Sequence, residues 1–324
     1  MIETLYIITP GISIRQAGGL LILEQNHKVI RTLPIATVGN LVLGRTVQIS
    51  TQVMFSLIKQ GTLIIGTLGD NHTILPRLLW QAKYFQDNCI ALAGAKYIVH
   101  RKIKAQIAIL DQYKKTRKIP MYTSVRSTLY TLLKRINQAK TIEGVRGIEG
   151  LASKTYFSVW ETILSEPWEF TGRNRNPSLD PVNTLLSYGY SFLEREVRAC
   201  LVTAGLDVRI GVLHSTNNRK DSFVFDMMDL FRQAVMDRFI LKVLNCHMLK
   251  FNDFDISENG CFMSKSSTKK WIQIYEDYMT TPKKHFGALS PRRWIQREIT
   301  NFIKYLTDIS DDSITLDTDA KCIS

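Results

Sequence analysis

The sequence lacks the cysteine patterns that hold zinc or carry redox chemistry. Its five cysteines are odd in number and widely scattered, and no two of them form a C-x-x-C pair. Such pairs are the usual signature of zinc ribbons and dithiol oxidoreductases. We therefore expect all five to be reduced and to take no part in the chemistry of the protein: Cys89, Cys200, Cys246, Cys261 and Cys322.

Long apolar runs are also absent. No segment approaches the roughly 20 consecutive apolar residues that a membrane-spanning helix needs. The first four residues, Met1–Thr4, lead directly into a strand-like pattern without the basic stretch that opens a secretory signal. We expect a cytoplasmic protein with no membrane partner. No internal repeat at solenoid spacing occurs either.

Acidic residues are in short supply relative to basic ones. The 42 Lys and Arg against 29 Asp and Glu give a net charge of +13 and a pI near 9.5. An excess of this size favours a polyanionic partner, because many cations together release counterions from phosphates. Nucleic acid is the leading candidate, and an anionic membrane surface is the competing one.

The hydrophobic pattern changes near residue 80. Residues 1–80 contain short β-branched runs broken by turns, with one capped helical stretch from Ser50 to Gly61. Helical spacing dominates residues 85–307, and the acidic, Ser/Thr-rich end at 308–324 is typical of a disordered tail. The predicted fold class is α+β, a small N-terminal β-domain followed by a larger all-α domain. The predicted strands are Thr4–Thr9, Gly19–Glu24, Lys28–Ile35, Asn40–Leu43 and Thr62–Thr67.

Two long helices are predicted in the second domain. Asp180, followed directly by proline, is a strong helix start, and Gly205 is a matching stop, so a helix should span residues 181–204. A second helix should run from Ser222 to about Asn245, which places His214 in the connection between them. Further expected elements are a turn or small hairpin at 252–263 and helices at 269–279 and 291–306.

A strongly basic segment lies earlier in the same domain. Residues 96–118 carry eight Lys and Arg against a single acid, Asp111. A helix of this composition is either a solvated basic face or a nucleic-acid contact surface, and both interpretations stay open.

The second long helix carries two acids three positions apart. Asp226 and Asp229 should project from one face of this helix. Their neighbours are apolar nearly all round, which indicates a buried helix. Buried carboxylates need a partner, and a divalent ion supplies one. The alternative is a helix with two partly solvated aspartates.

Four motifs follow one another through the second domain. They are Glu149–Phe157, Arg173–Tyr190, Gly211–Ser215 with Arg219 after it, and Phe225–Arg232. In this order and spacing they resemble the CRISPR adaptation integrase family, Cas1. The resemblance covers most of the chain, since the short runs of residues 1–80 are also similar to the β-domain of that family.

The resemblance implies a metal-dependent DNA endonuclease and integrase. Glu149, His214 and Asp229 would bind Mg²⁺ or Mn²⁺, with Asp226 as an outer or alternate ligand. The ion would polarise a phosphodiester and align a DNA 3′-hydroxyl for in-line attack. The reaction would join spacer DNA ends into the CRISPR repeat array, and water in place of the hydroxyl would give cleavage.

The resemblance also implies partners: double-stranded DNA, a second copy of the chain in a homodimer, and the small protein Cas2. The β-domain would supply the dimer contacts, and the helical domain of residues 85–307 would supply the catalysis. Four basic residues are candidate DNA contacts: Arg173, Arg175, Arg219 and Lys220. They either bind phosphates or are ordinary exposed loop residues. Asn183 and Tyr188 either contact DNA or cap and pack. The competing functions are a non-catalytic DNA-binding scaffold and a repair nuclease acting on branched DNA.

Overall fold

The chain divides into two compact units, Met1–Leu75 and Pro76–Ser324. The division lies just before the change of hydrophobic pattern expected near residue 80, and the predicted α+β class is confirmed. The computed structural model describes residues 2–44, 46–66, 74–165, 168–174, 177–214 and 221–319.

The first unit is built on two small sheets. Parallel strands form one of them in the order β1–β5–β7, where β1 is Ile2–Ile7, β5 is Val38–Leu43 and β7 is Leu63–Gly66. The other has the order β4–β3–β2–β6, made of β2 (Ile12–Ala17), β3 (Leu20–Gln25), β4 (Lys28–Pro34) and β6 (Gln48–Ile49). Strands β2 to β4 pair antiparallel, and β6 pairs parallel with β2.

The sequence predicts five of these seven strands and the helix of this unit. Helix α1 (Thr51–Lys59) begins at Ser50, whose hydroxyl accepts the Val53 amide at 3.4 Å, and Gly61 follows it with φ 85°. Strands β2 and β6 are not predicted. In β2 the apolar alternation covers little more than Ile12 and Ile14, and β6 has only two residues, so neither produces a period-2 pattern.

The second unit is a helical assembly around one long central helix. Its helices are α2 (Ile74–Tyr84), α3 (Asn88–Tyr113), α4 (Tyr122–Gln138), α5 (Ile142–Phe157), α6 (Trp160–Ile163), α7 (Pro181–Thr203), α8 (Ser222–Phe231), α9 (Arg238–Asn245), α10 (Lys265–Thr280) and α11 (Pro291–Asp319). The small hairpin that the sequence predicts is formed by β8 (Phe254–Ser257) and β9 (Gly260–Met263). Helix α3 packs against α4, α5, α8 and α11, so its residues can meet side chains from several other helices.

The caps explain why α3 and α7 begin where they do. Asp87 accepts the amides of Cys89 and Ile90 at 2.8 and 3.0 Å and opens α3. Asp180 accepts the Asn183 amide at 2.8 Å and opens α7. Because each carboxylate satisfies amides that have no partner inside the helix, these starts are fixed locally. The predicted span of α7 differs from the observed one by a single residue.

The predicted helix from Ser222 to Asn245 is interrupted by one π-helical turn, Arg232–Asp237, which joins α8 to α9. The turn carries a fully buried acid, Asp237, whose carboxylate accepts the Tyr190 hydroxyl at 2.7 Å and the Gln233 amide at 3.2 Å. An inserted residue of this kind is common near functional sites, and apolar spacing does not reveal it.

The end of the chain differs from the expected disordered tail. Helix α11 continues through residue 308 to Asp319, and residues 320–324 lie outside the described residues. Leu306 is buried and Ile309 packs against the core, which fixes the helix up to this point. The residues that follow extend a helix that has already formed. Each further residue then adds one hydrogen bond without a new nucleation cost. None of the described helices is long and apolar enough to cross a membrane.

The buried acid predicts an unusual pH dependence of stability. Burial raises the pKa of Asp237 to about 6 from its ordinary 3.8, so the folded protein holds a proton that the unfolded chain releases. Stability therefore falls as pH rises from about 4 to 6. We expect Asp237→Asn to remove this loss. The free energy of unfolding of the variant, relative to that of wild type, should therefore increase by up to about 3 kcal/mol between pH 4 and pH 7.

Urea unfolding at both pH values measures this gain. Asp255→Asn, at an exposed position of β8, makes the same chemical change and should follow the wild-type pH dependence. A constant difference between Asp237→Asn and wild type across this range would contradict the prediction.

Candidate active site

Three elements carry the predicted site residues. Glu149 lies on α5, His214 lies in the loop before α8, and Asp226 and Asp229 lie on α8. Helix α8 is buried on nearly all sides, as its composition predicts, and the side chain of Asp229 is only 2% exposed. Arg146 of α5 donates from Nε to the Leu213 carbonyl oxygen at 2.6 Å, which ties α5 to the loop of His214.

Asp226 holds the His214 loop. Its Oδ2 accepts the backbone amides of Val212 and Leu213 at 2.6 and 2.9 Å, and its Oδ1 accepts the amide of His214 at 2.9 Å. The same Oδ1 lies 2.6 Å from Nδ1 of the His214 ring. Both oxygens are therefore engaged within the loop. The sequence assigns Asp226 an outer or alternate ligand role, and the structure places it behind the imidazole.

The contact with Asp226 determines how His214 is presented. A hydrogen bond from Nδ1 to a carboxylate fixes the ring orientation and leaves Nε2 as the available nitrogen, as in histidines that ligate metals. The bond to Asp226 raises the pKa of His214, and it outweighs the opposing effect of burial. The side chain remains 42% exposed, so the ring is accessible as well as oriented.

Gly211 explains the glycine of the Gly-Val-Leu-His motif. A Cβ atom at this position would lie 2.5 Å from Asp226 Oδ2 and 3.0 Å from the Ser222 backbone carbon. Side-chain carbons do not come this close to backbone or carboxylate atoms, so only glycine allows the loop to reach the Asp226 carboxylate.

Lys102 joins the two other acids of the predicted site. Its Nζ donates to Asp229 Oδ1 at 3.0 Å and forms a close ion pair with Glu149 Oε1. The lysine side chain is 4% exposed. Asp229 Oδ1 also accepts Arg232 at 2.6 Å, and Glu149 Oε1 accepts the Ser153 hydroxyl at 2.9 Å. Two acids from separate helices thus share one buried ammonium group.

This arrangement controls the ionisation of Asp229. Burial alone would raise its pKa, but the charges of Lys102 and Arg232 outweigh burial and hold the pKa below the ordinary value. The carboxylate is therefore ionised at neutral pH inside the protein.

Lys102 is not among the predicted site residues, because it belongs to the basic segment 96–118, which the sequence presents as a surface. The sequence feature that could have identified Lys102 as a buried residue is its position in the apolar pattern of α3. Val99, Ile103 and Gln106 are buried, and Lys102 falls into the same inward stripe at helical spacing. Most of the other lysines of the segment, such as Lys104, are exposed, and Lys96 is half-buried. The segment therefore contains one fully buried site residue among mostly solvated basic residues.

The donor set is suited to a hard divalent ion. Two carboxylates and one imidazole are ligands that Mn²⁺ accepts readily and Mg²⁺ tolerates. Within the described ranges, no three His, Cys, Asp or Glu side chains converge as ligands of one ion. The physical reason is that the Lys102 ammonium lies between Glu149 and Asp229, where it provides the positive charge that these acids share.

A cavity of about 590 Å³ adjoins Glu149 and Lys102. Its walls combine three further cations with three aromatic rings: Lys154, Arg173, Arg232, Phe157, Phe170 and Tyr190. The Arg232 and Arg173 guanidinium groups lie 5.3 and 5.7 Å from the centre of the Tyr190 ring. Cations for phosphate and flat rings for bases are the two features that single-stranded nucleic acid recognition requires.

The candidate DNA contacts have different outcomes. Arg173 lines the cavity and donates to Asn183 Oδ1 at 2.8 Å. Asn183 is fully buried, and its amide donates to the Gly172 carbonyl oxygen at 2.8 Å and to the Asp180 carboxylate at 2.6 Å. Its side chain therefore caps and packs, which is the second of the two roles that the sequence leaves open. Tyr188 is half-buried and packs against the core. Arg175, Arg219 and Lys220 lie outside the described residues.

Sequence comparison finds a single family over most of the chain. A family model described as CRISPR associated protein Cas1 matches residues 5–277. A curated CRISPR-associated endonuclease Cas1 of Thermus thermophilus is 27% identical over 294 residues, which cover 87% of this chain and 88% of the relative. A second, from Thermodesulfovibrio yellowstonii, is 28% identical over 86% of this chain and 91% of its own length.

Structural comparison supports the same fold. A Cas1 protein from Thermotoga maritima superposes with a TM-score of 0.64 at 23% identity, covering 94% of this chain and 97% of that protein. A casposase bound to an integration product superposes with a TM-score of 0.63 at 18% identity, covering 95% and 91%. A chain from a partial Cas6-RT-Cas1–Cas2 complex gives a TM-score of 0.66 at 18% identity, covering 95% and 96%.

The close approach at Gly211 predicts a specific effect of an added methyl group. Gly211→Ala should displace the Asp226 carboxylate from the His214 loop and lower the free energy of unfolding by about 1–3 kcal/mol. Because the Asp226 bond raises the pKa of His214, an NMR titration of the imidazole should show that pKa moving back towards its ordinary value.

Gly147→Ala on α5 is the matched control, because a Cβ there meets nothing within 4 Å. It should leave the His214 titration unchanged and raise stability by about 0.5–1 kcal/mol through helix propensity. An unshifted His214 titration in a folded Gly211→Ala protein would show that the glycine has no part in orienting the ring.

Proposed function

The chain belongs to the CRISPR-associated Cas1 family, and on that premise we propose that it is a metal-dependent DNA endonuclease and integrase that joins spacer DNA into the CRISPR repeat array. One observation carries the proposal. Glu149 and Asp229 are held on one shared buried cation, in a site that also contains an imidazole oriented by Asp226. A stable ion pair would require neither the second carboxylate nor the exposed histidine.

Glu149, Asp229 and the Nε2 atom of His214 are the groups that would hold Mg²⁺ or Mn²⁺. When bound, the ion would polarise the phosphodiester and stabilise the charge that develops on its oxygens. Asp226 keeps the imidazole in the ligating orientation, since Nδ1 and the loop amides are already bonded to it. Lys102 keeps the two carboxylates close together in the protein without an ion.

The cavity beside Glu149 would receive the reacting DNA. Arg173, Arg232 and Lys154 would bind the phosphate oxygens, and the half-buried Phe157 ring would contact bases or sugars. The 3′-hydroxyl oxygen of the incoming strand would form a new bond to phosphorus as the bond to the leaving 3′-oxygen of the target strand breaks. The attacking hydroxyl gives up its proton to water, and the leaving oxygen takes up a proton, so the number of protons and of phosphodiester bonds is unchanged. Water in place of the hydroxyl would give hydrolysis in the same geometry.

The partners of this reaction also belong to the proposal. The chain would act as a homodimer through its first unit, assemble with Cas2, and bind both the spacer precursor and the repeat as double-stranded DNA. The net charge of +13 supports binding to a polyanion of this kind. Structural relatives include a chain from a complex that contains Cas2, and this resemblance supports the fold rather than the assembly.

A second candidate function is a DNA-binding scaffold without catalysis. The observation that favours it is the Lys102 bridge itself, because Lys102, Glu149, Asp229 and Arg232 form a self-contained ion network. In this alternative the network stabilises the meeting of α3, α5 and α8, and no ion is needed.

Strand joining by matched glutamate variants distinguishes the two functions. We expect wild-type protein with Cas2 and Mn²⁺ to join a 3′-hydroxyl DNA fragment to a repeat-containing plasmid, and Glu149→Gln and His214→Ala to lose at least about 100-fold of the rate, as removal of metal ligands or their orienting partners does. Glu143→Gln makes the same change on the exposed side of α5, where its side chain is 76% exposed, and should keep wild-type activity.

Three outcomes would count against the integrase. DNA binding without joining by wild type would favour the scaffold. Equal joining by wild type and His214→Ala would place the chemistry elsewhere. Cleavage of branched DNA with no dependence on the repeat would favour a repair nuclease.

Lys102 allows the proposed ion site to be tested without an activity assay. Lys102→Met leaves two carboxylates facing each other without their shared cation, so it should lower stability in EDTA by about 3–5 kcal/mol. Mn²⁺ should then raise the melting temperature of this variant more than that of wild type, because the ion replaces the missing charge.

Lys104→Met removes an exposed lysine from the same helix and should respond to Mn²⁺ as wild type does. Differential scanning fluorimetry at several Mn²⁺ concentrations gives the comparison. If the ion stabilises Lys102→Met no more than wild type, Glu149 and Asp229 do not form an ion site.

A further inference from the structure

A second cavity, of about 540 Å³, lies away from the residues proposed for catalysis. The end of α3 and the turn after it, helix α9, and the segment that follows α10 form its walls. We call it the basic cavity, after the five basic side chains that line it: Arg117, Arg238, Lys242, Lys283 and His285. None of the described residues that line it is acidic.

The guanidinium groups of the basic cavity are bonded to neutral partners. Arg238 donates to the side-chain oxygen of Gln112, and Arg117 donates to Asn245 Oδ1 at 3.4 Å. The Nε atom of Arg238 is buried and has no hydrogen-bond partner among the described residues. Amide oxygens orient these groups but do not neutralise them, so their charge remains available to an anion.

The cations of the basic cavity also disfavour one another. Burial lowers the pKa of Lys283, and the charge of Lys242 lowers it further. Burial likewise lowers the pKa of His285, together with the charges of Arg238 and Lys283. Like charges held together at the edge of a low-dielectric wall are unfavourable alone and become favourable when an anion binds between them.

The cavity beside Glu149, which we call the catalytic cavity, shares wall residues with a third cavity, which a hydrogen bond links to the basic cavity. Glu161 and Phe170 line the catalytic cavity and also a third cavity, which extends to Lys118 and Ser165. The Ser165 amide donates at 2.8 Å to Asn245 Oδ1, the same oxygen that accepts Arg117 of the basic cavity. The three cavities are therefore neighbours on the second unit, and the third one carries two acids, Glu161 and Glu169.

We propose that the basic cavity binds backbone phosphates of the DNA substrate at a distance from the reacting bond. The inference rests on the proposed function for its choice of ligand, since phosphodiesters are the anions that the catalytic cavity would hold. Contacts of this kind position a strand without reading its sequence. They would give the chain a second point of attachment that fixes how the DNA enters the active site.

Cysteine accessibility provides a test in the unmodified chain. Cys246 is exposed and lines the basic cavity, whereas Cys89 is exposed and lines a different cavity near the start of α3. The probe is a 3′-hydroxyl DNA duplex, and alkylation of each cysteine by iodoacetamide is followed by mass spectrometry. We expect DNA to slow alkylation of Cys246 at least fivefold and to leave the rate at Cys89 unchanged.

A charge variant supplies the second measurement. The double variant Lys242→Gln with Lys283→Gln removes two cations of the basic cavity. It should weaken DNA binding and reduce the slope of log affinity against log salt by about two, roughly one for each phosphate that no longer meets a lysine. The control, Lys134→Gln with Lys269→Gln, removes two exposed lysines from α4 and α10 and should leave the slope within error of wild type.

The outcomes separate this inference from the proposed function. Protection of Cys246 and a reduced slope support the basic cavity even if strand joining is absent. Strand joining by wild type with no protection of Cys246 and an unchanged slope would overturn the inference and leave the function intact. Equal protection by inorganic phosphate at the same phosphate concentration would also overturn it, since the cavity would then take a small anion.

Discussion

The shared ammonium group of Lys102 is the interaction on which the site depends. A carboxylate as buried as Asp229 is very costly unless an opposite charge accompanies it, and the second acid, Glu149, adds to that cost. Lys102 comes from α3, Glu149 from α5 and Asp229 from α8, so one ion network fixes the meeting point of three helices. The same network keeps Asp229 ionised, because the positive charge holds its pKa low despite its burial. The stability of this meeting point and the ionisation of Asp229 therefore have one physical cause.

Two aspartates three residues apart on α8 make different contacts. Asp226 points towards the preceding loop and satisfies three amides and the His214 ring. Asp229 points towards the centre of the unit and meets Lys102 and Arg232. Side chains at this spacing lie on the same side of a helix but are offset around it, so a loop on one flank and a core on the other are enough to separate them. The glycine at 211 makes the first arrangement possible, since any larger residue would collide with Asp226.

The excess positive charge is not spread evenly over the second unit. One group of cations lines the catalytic cavity, where the guanidinium groups of Arg173 and Arg232 lie over the Tyr190 ring. Another lines the basic cavity, where amide partners orient the guanidinium groups without neutralising them. Phosphate binding at two separated places resists rotation of a duplex better than a single patch of the same charge, because each contact restricts what the other leaves free. Under the proposed function, the two groups of cations would hold a DNA duplex at two separate points.

The sequence alone determined the α+β architecture, several element boundaries and the order of the four motifs. Those features are local, since a cap such as Asp180 or a change from period 2 to period 3.6 acts within a few residues. Tertiary structure decided the rest. Lys102 differs from its basic neighbours in facing the core, Asn183 is buried beneath the loop it bonds, and Asp226 serves the His214 loop because that loop folds onto it. Helical periodicity predicts which face of a helix a residue occupies. The residue that contacts that face comes from a distant part of the chain. The role of a charged side chain depends on this contact, so only the tertiary structure determines it.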